Sequence, residues 1–97
     1  MVEVRGVAVP WYYEADYVKV LGIMIDGDRF PKSYREWLDK SESKLKALEG
    51  KGTSIERVYL NPDEFVFWCS ERGVKTDTVS RQRYAAEIGA MRYKNQS

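Results

Sequence analysis

The chain has 97 residues, 43% hydrophobic and 32% charged, with 16 basic against 15 acidic side chains and a net charge of +1. That length fits one small domain, residues 1–97, and its hydrophobicity with near-zero net charge is that of a chain that folds. With no histidine and one cysteine, Ser-His and Cys-His catalytic arrangements, zinc fingers, two-histidine iron sites and an internal disulfide are all excluded.

Val2–Val9 carries β-branched residues at alternate positions, which predicts a strand broken or bulged at Gly6 and ended by Pro10. From Glu14 a helix is predicted, with Tyr13, Tyr17, Val20, Leu21 and Met24 as its apolar stripe and the Asp26-Gly27-Asp28 turn as its stop. Ser33 and Glu36 form the pattern of a capping box and open a second helix, whose inward face is Tyr34, Trp37, Leu38, Ser41, Leu45 and Leu48. Gly50 and Gly52 stop it. A short strand over 55–60 follows.

The third helix has the fullest local code. Asn61 caps it, Pro62 takes its first position, and Leu60 with Phe65 form a hydrophobic staple. Gly73 ends it, with Val74 placed to pack back on Cys69 in a Schellman cap. A last helix over about 77–93, capped by Thr76 or Thr78, buries Tyr84, Ala85, Ile88 and Met91. The expected fold is α+β, about four helices packed on a small two-stranded sheet formed around Val7 and Val58.

The run Pro10-Trp11-Tyr12-Tyr13 is followed by Asp16 and Tyr17. Aromatic rings at the exit of a strand suit a pocket in which N–H and O–H groups orient a ligand, so Trp11, Tyr12, Asp16 and Tyr17 are the candidate binding residues. The alternative puts Trp11 and Tyr13 over the helix layer and Tyr12 on the surface. Cys69 sits among apolar neighbours in a helix, which predicts a buried, unreactive thiol. Asp26 and Asp28 read as a solvated turn, since the acidic series of a calcium loop is missing. No catalytic residue, metal ligand or cofactor is expected, and acid–base work would fall to carboxylates, tyrosines and arginines. Tyr17–Ile25, the most apolar run, is too short and too interrupted to span a membrane, and a lone thiol suits a reducing compartment or an indifferent one. A cytoplasmic protein is expected.

Charge is polarised along the chain, +4 over residues 72–97 and −3 over residues 1–71. Within the basic third, Cys69-Ser70-Glu71-Arg72-Gly73-Val74 and Thr78-Val79-Ser80-Arg81 resemble the helix-turn-helix of lac-repressor-type regulators over residues 69–81. The resemblance implies that Thr78, Ser80 and Arg81, with Arg83 beside them, face DNA. Arg72 and Gln82 depart from it, standing where the motif has buried apolar residues.

A second resemblance spans nearly the whole chain. Pro10-Trp11-Tyr12, Asp16-Tyr17, Pro31, Glu36-Trp37-Leu38, Asn61-Pro62-Asp63-Glu64-Phe65, Trp68-Cys69 and Arg72-Gly73 are similar to the landmarks of a small bacterial protein family, a domain of unknown function. It implies bacterial origin and a compact fold and transfers no catalytic residue. The function expected from the whole reading is a non-catalytic interaction module. Pairing Val2–Val9 with its counterpart in a second chain would satisfy exposed strand edges and give a two-fold homodimer. DNA binding through the basic C-terminal helix is the alternative.

Overall fold

The computed structural model describes residues 6–95, with side chains described through residue 92. Strand β1 (Gly6–Trp11) leads through a 3-10 turn (Glu14–Asp16) into helix α1 (Tyr17–Ile23). A second 3-10 turn (Gly27–Arg29) precedes α2 (Tyr34–Glu49), and β2 (Ser54–Tyr59), α3 (Pro62–Arg72) and α4 (Thr78–Asn95) complete the order. The α+β architecture with four helices and one two-stranded sheet matches the sequence reading. The Val2 to Arg5 part of the expected first strand lies outside the described residues.

The two strands run parallel, with Gly6 opposite Ser54 and Trp11 opposite Tyr59. Parallel neighbours need a long crossover, and here α1 and α2 supply it. Because side chains alternate along a strand, the register gives α2 and α4 opposite faces of the sheet. Trp11 points to α2, its ring centroid 4.9 Å from that of Trp37. The opposite face carries Ala8, Glu56 and Val58 and receives α4 at Gly89, where an added Cβ would stand 2.9 Å from the Ala8 Cβ. Glycine lets that helix approach the sheet closely.

Local codes placed the middle helices as expected. The Ser33 hydroxyl accepts from the Glu36 amide at 3.1 Å, and Asn61 Oδ1 accepts from the Glu64 amide at 3.0 Å. Gly73 adopts φ 65°, and the Val74 amide reaches back to the Cys69 carbonyl at 3.1 Å, closing the Schellman cap.

Three details differ from the sequence reading. Pro10 lies inside β1 and does not end it. The Leu60 amide donates to the Trp11 carbonyl at 2.9 Å, so odd-numbered residues of β1 turn their backbone groups toward β2, and the position lacking an N–H faces the free edge. α4 is capped by Asp77, whose Oδ1 accepts from the Ser80 amide at 3.0 Å; Thr76 and Thr78 use their hydroxyls elsewhere, on the Ile23 carbonyl and the Asp26 carboxylate. The inward face of α4 holds Ser80, Arg81 and Gly89 beside Tyr84 and Ala85, while Met91 is exposed.

Candidate functional site

The aromatic residues at the exit of β1 come together, but around one another. Trp11, Tyr12 and Tyr17 are all at most 4% exposed. Their rings surround Trp37 of α2 at centroid distances of 4.9, 4.9 and 5.9 Å, and Tyr34 adds a fourth ring at 5.4 Å. Each ring thus fills the space that a ligand would need beside its neighbour. Asp16, half-buried before α1, makes no capping hydrogen bond with its side chain. Tyr12, placed on the surface by one sequence reading, is buried; the outer ring is Tyr13, stacked on Tyr59 at 4.1 Å.

Two hydroxyls of the cluster are spent on backbone. Tyr17 donates to the Pro31 carbonyl at 2.5 Å, and Tyr34 donates to the Tyr12 carbonyl at 3.1 Å. Burial pushes the Tyr17 phenol up to about 12 and raises that of Tyr12 as well. Groups held neutral so far above pH 7 orient and donate; they do not shuttle protons at neutral pH.

The residues that the helix-turn-helix resemblance would turn to DNA meet instead the loop after α1. Arg81 is 7% exposed, and its guanidinium forks onto Asp26, with Nη1 to Oδ1 at 2.8 Å and Nη2 to Oδ2 at 3.0 Å. Thr78 Oγ1 donates to the same carboxylate at 3.0 Å and accepts from Arg81 Nη2. The planar guanidinium also lies 4.8 Å from the Phe30 ring centroid. Hydrogen bonding from Arg81 holds the Asp26 carboxyl below its ordinary range, against the opposite pull of burial. Ser80 is buried, and Arg83 is exposed with its guanidinium 5.7 Å from the Trp68 ring. An Arg81 reaching a phosphate would have to leave a bidentate buried partner.

Asp26, read from sequence as a solvated turn residue, is therefore half of the best-buried ion pair described. Its partner stands 55 positions away, and no local pattern joins them. A signal for Arg81 did exist: it precedes Tyr84 by three residues and Ala85 by four, on the inward stripe of α4.

Cys69 is buried as expected, its thiol donating to the Lys75 carbonyl at 3.8 Å and raised by burial. A thiol so placed is a poor nucleophile. Among the described residues no group of acidic or cysteine side chains is arranged to hold a metal, and no buried side-chain polar atom lacks a hydrogen-bond partner.

Among the described residues, what remains unsatisfied is main chain at the sheet edges. The register that turns Trp11, Val9 and Val7 toward β2 turns the backbone groups of Ile55, Arg57 and Tyr59 away from β1. Among the described residues these groups have no other hydrogen-bond partner. On β1 the outward positions are Gly6, Ala8 and Pro10, so that edge is short of one donor. β2 carries no proline and offers the fuller row.

No curated protein and no solved structure matches this chain. A family match over residues 14–95 takes in α1 to α4 and β2, so it covers Tyr17, Tyr34 and Trp37 of the aromatic cluster and the Asp26–Arg81 pair, with Trp11 and Tyr12 lying before it. The chain belongs to the family described as Domain of unknown function (DUF8829).

Proposed function

We propose that this chain is a non-catalytic interaction module that forms a two-fold homodimer through the outer edge of β2. One observation carries the reading: a two-stranded sheet whose outer strand presents the N–H and C=O groups of Ile55, Arg57 and Tyr59 without partners among the described residues. Such an edge is a template for another strand, and a two-fold axis pairs identical edges antiparallel, giving a four-stranded sheet. A dimer of this kind also extends a sheet that is marginal at two strands. The lone buried thiol supports a cytoplasmic location, and the landmark motifs support a bacterial one.

Light scattering over a concentration series tests it, with Ile55→Pro as the probe. That proline removes an outward donor and leaves the β1 ladder intact, whereas Val7→Pro would break the internal ladder because Val7 faces β2. The wild type is expected at the mass of two chains and Ile55→Pro at one, with helical circular dichroism retained. A wild-type mass of one chain at the highest concentration rejects the dimer, and so does an Ile55→Pro that folds and still dimerises.

A further inference from the structure

We infer that the groove between the 29–32 segment and α2 is a binding site for a phosphate-bearing small molecule with an apolar or ring portion. The groove encloses about 630 Å³. One wall presents Arg29 and Lys32; the other presents Lys40 and Lys44 from α2. Trp37, Lys40, Ser41 and Lys44 follow at three- and four-residue spacing, so they share one stripe of the helix. The only carboxylate of the lining is Glu36, and Lys40 occupies it at 3.3 Å. Arg29, Lys32 and Lys44 have no described ion-pair partner.

Three properties distinguish this cluster from a merely solvated basic face. Its cations converge from two separate segments across a concavity, which raises the local positive potential far more than the same charges spread along one helix. Lys40 and Lys44 sit at i,i+4, a spacing at which like charges on a helix repel and which a bound anion would relieve. The third property is the presence of Phe30, Pro31 and Trp37 in the same lining, which offers apolar area next to the charge.

The wall that carries Arg29 and Lys32 is held in place before any ligand arrives. Asp26 is clamped by Arg81, Phe30 packs between Tyr12 and Tyr17, and the Pro31 carbonyl takes the Tyr17 hydroxyl. Gly27 lies so close to the Leu21 carbonyl that a Cβ there would stand 2.1 Å from it. A site fixed this way loses little conformational entropy on binding. The phosphate would lie among Arg29, Lys32 and Lys44 with the Ser41 hydroxyl in reach of the same concavity, and the ring or chain would lie over Phe30 and Pro31.

Free nucleotides and lipid headgroups share this chemistry, and the experiment separates them. Isothermal titration calorimetry would use ATP and pyrophosphate, and sedimentation would use phosphatidylglycerol vesicles, each at low and high salt. The wild type is expected to bind at least one probe, with affinity falling as salt rises. ATP or pyrophosphate binding assigns the site to a free phosphate compound; vesicle binding alone assigns it to a headgroup. Lys44→Glu, at an exposed position, should lose at least tenfold in affinity. Lys46→Glu, which changes the same net charge on α2 outside the groove, should change it less than threefold. No binding of any probe overturns the proposal, as does an equal loss in Lys46→Glu, which would mark attraction by net charge alone. Because all variants can be checked for dimer mass, failure here is distinguishable from failure of the edge pairing.

Discussion

The two faces of the sheet are closed by opposite means. On the α2 side large rings fill the layer, with Trp37 at the centre of Trp11, Tyr12, Tyr17 and Tyr34. On the α4 side the layer is thin, with Gly89 against Ala8 and Val58. The first face is made by volume and tolerates no loss of it; the second is made by proximity and tolerates no gain. An ionic clamp, Asp26–Arg81, ties the N-terminus of α4 back to the loop leading into α2, so both layers share one fastening.

Substitutions can break this contrast at each point. Trp37→Ala should have the largest effect, a loss of about 3–5 kcal/mol in urea unfolding, because it removes the ring that four others contact. Asp26→Asn keeps the shape and leaves a buried guanidinium without its counter-charge, at an expected cost of about 3 kcal/mol. The same variant tests the acid limb. The Asp26 carboxyl is held below its ordinary range when folded, so its stabilisation is complete above the unfolded carboxylate pKa, about 4. That stabilisation is lost as pH falls through the lowered folded value. Asp26→Asn should therefore show a shallower loss of stability between pH 5 and pH 2 than the wild type; equal slopes would deny the clamp its role. Gly89→Val is the smallest of the three, about 1–3 kcal/mol from overpacking against Ala8. If Gly89→Val is neutral, α4 does not lie as close to the sheet as the contrast requires.

How far the fold could be read from sequence tracks the range of the interactions involved. α3 was legible end to end, because Asn61, Pro62, Gly73 and Val74 act within a turn of the backbone they cap. α4 was legible as a helix and only partly as a surface. Apolar spacing picks out Tyr84 and Ala85 but passes over Ser80, Arg81 and Gly89, whose burial depends on a loop and a strand distant in sequence. The strand direction was not legible either: alternation sets which side chains share a face and says nothing of whether the neighbour runs parallel. The groove cations were visible as residues, yet Arg29 and Lys32 meet Lys40 and Lys44 only because buried contacts fix the loop between them. The aromatic run at 10–17 has the composition of a pocket, and the burial of Trp11, Tyr12 and Tyr17 shows how strongly a small chain draws large side chains into its core.

Parallel pairing also orders events during synthesis. Gly6 waits for Ser54, 48 positions later, before β1 has any strand to bond. A ribosome that has released α1 and α2 has released rings without the sheet they cover, and α4, which supplies Arg81 to Asp26, follows last. Local helix signals can act early, but the layers close only when the final helix has emerged. Until then Trp11, Tyr12 and Trp37 form an apolar surface that a chaperone could hold and that a prematurely stopped chain would leave open to aggregation.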